Sequence, residues 1–163
     1  MLYLLGKYIK GRDFMTVRSL EESDRSTFMR LCEDFYNTRA TSRAYIEEIA
    51  VKTFDYLMCK HENLWGYIME DKDTSEAVGY ALITSYWCNE DGGNVIILDE
   101  LYINPELRHK GYGRQFMDWI EAEFRDRAVS ITLEVLTTNT AAKQLYAKLG
   151  YAEDGFQVLT KRL

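Results

Sequence analysis

The residues with the plainest chemical use lie in one short run, Arg108-His109-Lys110-Gly111-Tyr112-Gly113-Arg114. Gly111 and Gly113 let main chain approach an anion with no Cβ in the way. Arg108, His109, Lys110 and Arg114 place cations around the rim. Such a run between a strand and the opening of a helix aims bare N–H groups, and the positive end of the helix dipole, at one point. The chemistry is the grip of a diphosphate. Just upstream, Asp99 and Glu100 interrupt the apolar run Val95–Ile103. Two acids there are costly unless solvated or paired, which favours a cleft position for at least one of them.

These residues need elements to hold them. Val95–Ile103 reads as a strand ended by Pro105. Residues Gly113–Arg127 read as a helix burying Phe116, Met117, Ile120 and Phe124. Ser130–Leu136 alternates like a further strand. Asn139–Leu149 reads as a short helix with Asn139 at its N-cap and Gly150 as its stop. Upstream, Phe14–Leu20 reads as a first strand. The next helix carries Phe28, Leu31, Cys32 and Phe35 on one face. A second helix is expected over Ser42–Cys59, burying Ile46, Ile49, Ala50, Thr53 and Leu57. Leu64–Glu70 and Ala77–Cys88 read as a hairpin, and Phe156–Lys161 as a closing strand. The order is β-α-α-β-β-β-α-β-α-β, an α/β (α+β) chain with a mixed sheet. Residues 1–13 show no period and read as an N-terminal extension. Residues 14–163 read as a single domain.

Two common phosphate cradles do not fit. No Gly-x-x-x-x-Gly-Lys-Ser/Thr run is present, and the third glycine of a dinucleotide fingerprint would fall on Phe116. What remains is Arg108-x-x-Gly111-x-Gly113 after Leu101-Tyr102-Ile103-Asn104-Pro105. It resembles the acetyl-CoA-binding motif of the GCN5-related N-acetyltransferase (GNAT) superfamily. Thr137-Thr-Asn139-Thr-Ala-Ala142-Lys143-Gln-Leu-Tyr146-Ala-Lys-Leu-Gly150-Tyr151 is similar to that family's C-terminal pattern. The resemblance is specific from Leu98 to Gly150 and architectural before that. It implies a GNAT-like, mostly antiparallel sheet of six to seven strands flanked by about four helices.

It also implies a site. Arg108, His109, Lys110, Gly111, Tyr112, Gly113 and Arg114 would hold the pyrophosphate of coenzyme A. Main chain at Leu101, Tyr102 and Ile103 would hold the acyl arm, and Asn139 and Lys143 would touch the coenzyme. Tyr146 would protonate the leaving thiolate; the alternative is a core aromatic with a bonded hydroxyl. An acceptor amine with a reference pKa near 10.4 is free base in only about one molecule in a few thousand at pH 7. A positioned base is worth about 10²- to 10⁴-fold, and Asp99 and Glu100 are the candidates, beside a water relay. Asp99 matches the acidic position of some polyamine and aminoglycoside acetyltransferases. Tyr45, Glu47, Glu48, Tyr86 and Trp87 are candidates for lining an acceptor pocket.

Composition sets the bounds. The chain has 163 residues, 47% hydrophobic and 28% charged, which suits a globular core. Its net charge of −6 argues against general nucleic-acid affinity. Cys32, Cys59 and Cys88 have no metal spacing and fit reduced thiols in the cytoplasm. No membrane span or metal is expected. The reading is an acetyl-CoA-dependent N-acetyltransferase acting by direct attack of a primary amine. The acidic balance favours a small cationic acceptor; protein N-termini and lysines stay open, as does a homodimer. The rivals are a non-catalytic acyl-CoA-binding module and a nucleotide-binding protein.

Overall fold

Apolar alternation builds a five-stranded sheet in the computed structural model, which describes residues 14–38, 40–41, 43–155 and 157–162. The expected N-terminal extension, 1–13, lies outside the described residues. Strands β1 (Met15–Ser19), β2 (Leu64–Asp71), β3 (Ala77–Cys88) and β4 (Gly93–Ile103) pair antiparallel in chain order, and β5 (Ser130–Leu133) joins β4 in parallel. The helices are α1 (Arg25–Asn37), α2 (Glu47–Met58), α3 (Tyr112–Phe124) and α4 (Thr140–Lys148).

One face of the sheet carries α1 and α2, the other α3 and α4. The expected stripes do the packing. Phe28, Leu31, Cys32 and Phe35 of α1 are buried, as are Phe116, Met117, Ile120 and Phe124 of α3. Each buried side chain of this size contributes about 1.5–3 kcal/mol relative to exposure. Phe28 stands at the centre of its face, ring to ring with Phe54 and Tyr80 at 5.5 Å each.

The strand that organises the site is β4. Its register with β3 runs Ile83↔Leu98, then Leu82↔Glu100, so Asp99 is an extra residue in a β-bulge. The bulge switches the strand's parity. Before it, Ile96 and Leu98 face α3; after it, Leu101 and Ile103 face α3 while Glu100 and Tyr102 face α1 and α2. The parallel pairing with β5 ends at the same place, at Leu98↔Leu133. Beyond that point β4 and β5 separate.

Two expectations are corrected. The sheet has five strands, not six to seven. Residues 157–162 form no strand, and Val158 and Leu159 stand 72% and 92% exposed; Phe156 lies outside the described residues. Phe, Val, Leu and Thr suit a pleated surface, but strand propensity is realised only where an edge and an apolar face receive it. The second helix starts later than expected, at Glu47, and its buried face keeps Ala50 and Leu57 but turns toward Phe54 instead of Ile46 and Ile49. Ala50, Phe54 and Leu57 are buried, whereas Ile46 and Ile49 are 49% and 55% exposed. Phe54 is the larger anchor and takes the place against Phe28.

Candidate active site

The loop from β4 to α3 is pinned at both ends. The Asn104 N–H donates to the Val78 carbonyl at 2.9 Å, and its side chain accepts from the Glu106 N–H at 3.1 Å. Arg108 Nε donates to the Ile103 carbonyl at 3.1 Å, which ties the loop back to the strand. His109 and Gly111 then take positive φ, 62° and 99°. A Cβ on Gly111 would stand 3.1 Å from the Phe14 ring, so the turn needs glycine both for its dihedral and for its space. The Tyr112 ring turns inward, edge-on to Phe14 at 4.7 Å, and its hydroxyl donates to Asp71. Tyr112 therefore faces the loop with main chain alone. The first N–H groups of the 13-residue α3 have no acceptor within the helix. Arg108, His109, Lys110 and Arg114 are exposed around them. Arg114 also lies 3.6 Å from Asp118.

A narrow slot of about 60 Å³ opens where β4 and β5 part. Asp99 and Leu101 line one wall, Glu134 and Leu136 the other, and Asn139 and Tyr146 of the α4 segment close it. Asn139 does cap α4, accepting from the Ala142 N–H at 3.3 Å. Lys143 is exposed one turn on. Burial raises the Tyr146 pKa, so its phenol stays protonated at neutral pH and is a donor. The side chains of Tyr102 and Ile103 are buried on opposite faces, which leaves their main chain for the strand edge.

Beside the slot, under α1 and α2, lies a wide cup of about 590 Å³. Glu100 is set in its wall. Tyr36 donates to Glu100 Oε1 at 2.8 Å and Tyr80 to Oε2 at 2.6 Å. Burial pushes the Glu100 pKa up, and the two phenols pull it part of the way back. Burial also raises Asp99, with added repulsion from Glu134, while Arg43 pulls it down. Cys32 lines the cup, but burial lifts its thiol to about 12, which makes it a poor nucleophile. Arg43, Tyr45, Ile46, Ile49 and Arg162 form the cup's remaining charged and apolar walls.

A bulged strand, a parting of β4 from β5 and a glycine turn at the head of α3 now stand together. A family profile described as Acetyltransferase (GNAT) family matches residues 28–151, most of the chain. The chain belongs to the GNAT family. Members of this family are N-acetyltransferases that use acetyl-CoA. The D-amino-acid N-acetyltransferase HPA3 of Saccharomyces cerevisiae is 25% identical over 151 residues, covering 92% of this chain and 91% of that protein. A possible acetyltransferase from Clostridium difficile 630 superposes with a TM-score of 0.78 at 17% identity, over 93% of this chain and 99% of its own. AAC(6')-Iy in complex with the bisubstrate analogue CoA-S-monomethyl-acetylneamine gives 0.74 at 14% identity, over 91% and 98%. These two likenesses are of fold.

Within this GNAT chain the sequence-derived residues fall into three places. Arg108–Arg114 form the turn, Asp99, Leu101, Asn139 and Tyr146 meet in the slot, and Glu100 faces the cup. Of the acceptor-side candidates, Tyr45 lines the cup. Glu47 and Glu48 are exposed in the first turn of α2, and Tyr86 and Trp87 sit near the far end of β3. Cys32, Tyr36, Arg43 and Arg162 line the cup but were not anticipated as site residues, and neither was Tyr80, the buried partner of Glu100. Tyr80 lies 20 residues from Glu100 and Tyr36 lies 64 away, so only register and helix placement join them. Among the described residues no group of three metal-ligating side chains is clustered, and no helix is long and apolar enough to cross a membrane.

Proposed function

We propose that this GNAT chain transfers the acetyl group of acetyl-CoA to the primary amine of a small acceptor by direct attack. The observation that carries the reading is the bulge at Asp99. It puts Asp99 in the slot at the β4–β5 parting, which Phe35 and Ala40 also line, and Glu100 in the wall of the neighbouring cup. The turn at Gly111 fits a diphosphate, because its positive φ opens α3 with main-chain N–H groups that no side chain caps. The acetyl thioester supplies the acyl group.

The chain's own residues then divide the work. Glu100 holds the ammonium: each of its oxygens already accepts one phenol and keeps room for a further donor. Asp99, which retains solvent access, takes the amine's proton and passes it to water. The amine nitrogen forms a bond to the acyl carbon and sheds a second proton to solvent as the carbon–sulfur bond breaks. Tyr146 donates a proton to the departing sulfur and regains one from solvent. The sum is ammonium plus acetyl thioester giving amide, free thiol and one proton. The yeast relative's name, which specifies D-amino acids, supports a small acceptor bearing an amine.

Thiol release from acetyl-CoA, measured with a panel of small amines, tests the reading. Turnover with at least one small amine is the expected result. Tight coenzyme binding with no turnover across the panel would assign a binding module instead.

A further inference from the structure

Glu33, Glu47 and Glu48 lie near Tyr45 at the cup, but the walls of the cup itself are mixed in charge. Glu100 is the acid in the wall, but Arg43 and Arg162 line the same cavity. A polyamine or aminoglycoside entering it would gain one carboxylate and meet two guanidinium groups. The arrangement complements a molecule that carries one positive and one negative group.

Arg43 is suited to the negative group. It follows α1 in the segment leading to α2, and it is exposed. Its backbone N–H donates to Thr41 Oγ1 at 3.3 Å. Among the described residues its side chain forms no hydrogen bond or ion pair, so the guanidinium keeps its full fork of donors. A planar fork matches a carboxylate bidentately, which a lysine cannot do. Its field nevertheless reaches Asp99. Arg43 therefore shares the cup with Glu100 and lies within electrostatic reach of Asp99. The cup's third feature is apolar. Ile46 and Ile49 present 49% and 55% of their surface, at the edge of a cavity that Ala50 and Tyr45 also line. Exposed aliphatic wall beside a charge pair is what an apolar side chain would cover.

We infer that the acceptor is an α-amino acid with an apolar side chain, its amine held at Glu100, its carboxylate on Arg43 and its side chain against Ile46 and Ile49. This deepens the acetyl-transfer reading and rests on it. Arg43 is then the residue that makes the enzyme prefer a zwitterion over the plain amine.

Matched pairs decide the matter: leucine (both enantiomers) against 3-methylbutylamine, and phenylalanine (both enantiomers) against 2-phenylethylamine. They are assayed with the full chain, Arg43→Gln and Arg43→Lys. The native enzyme is expected to favour one enantiomer of the amino acid over its decarboxylated partner by roughly 10- to 100-fold in kcat/KM, the worth of one charge-assisted hydrogen bond. Arg43→Gln should raise KM for the amino acid at least about tenfold more than for the amine, and Arg43→Lys should recover part of that loss. Acetylation of the plain amines as well as, or better than, the amino acids overturns the inference and leaves the acetyltransferase reading standing. Turnover of other small amines but of none of these pairs also overturns the inference; if no small amine at all is turned over, the acetyltransferase reading fails instead. Calorimetric titration of the CoA-loaded protein with the same pairs then still decides Arg43: binding of the amino acid alone, lost in Arg43→Gln, supports it, and equal or absent binding overturns it.

Discussion

The glycine turn before α3 and the cup under α1 and α2 flank the same strand, yet they are made of different materials. The turn presents main chain. Its side chains either point into solvent, as with Lys110, or are turned away into the core, as with Tyr112 on Asp71. The cup presents side chains from separated segments: Tyr36 from α1, Leu82 from β3, Glu100 from β4 and Arg43 from the segment between α1 and α2. Main-chain recognition of a shared coenzyme needs a fixed local dihedral pattern, and so leaves a compact motif. Side-chain recognition of a variable acceptor needs only that remote positions converge. A family that keeps its coenzyme and changes its acceptor can therefore hold one side of β4 constant while the other drifts.

The sharpest way to break that comparison is at the bulge. Asp99→Asn should lower kcat by about 10²- to 10⁴-fold with little change in the KM for acetyl-CoA, read from steady-state kinetics. In the native enzyme the acid limb of kcat/KM should lie above the ordinary carboxylate range, because the Asp99 pKa is raised by burial, and that limb should vanish in the variant. A full-rate Asp99→Asn enzyme would hand the proton to Glu100 or to water alone.

On the main-chain side, Gly111→Asp should weaken coenzyme binding by about 100-fold or more, since it adds a negative charge, a side chain and a strained φ at one point. Calorimetry reads the affinity, and circular dichroism confirms that the fold survives. Unchanged affinity would move the diphosphate away from this turn. Tyr146→Phe should cost about 10²-fold in kcat and leave the acceptor KM alone.

The smallest expected effect concerns stability on the cup side. A folded-state Glu100 pKa above the unfolded value means that the native state holds its proton more tightly. Stability from this group is thus fullest below the usual glutamate pKa and falls as pH rises through the folded value. Glu100→Gln removes the slope, so its melting temperature relative to the native protein should climb as pH rises above the usual glutamate pKa. A parallel pair of stability curves would mean that Glu100 is solvated like a surface acid.

Much of this was legible beforehand. Phe28, Leu31, Cys32 and Phe35 repeat at helical spacing, and all are buried. Asn139 and Gly150 bracket α4 because capping is set by a few local atoms. The C-terminal segment misled because its residue types suit a strand while no strand forms at 157–162. Ile46 and Ile49 misled because helical period alone does not say which of two overlapping apolar stripes meets the sheet; Phe54 against Phe28 decided it.

By itself the amino-acid order determined the glycine turn, the caps, most of the helices and the identity of the two acids on β4, all of which depend on neighbours within a turn or two of chain. Tertiary structure alone decided that Asp99 bulges, that Glu100 is gripped by Tyr36 and Tyr80, and that Arg43 shares their cavity. A one-residue shift in strand pairing exchanges every side chain between the faces of a sheet. That choice is made by the packing of whole elements, and no local pattern records it.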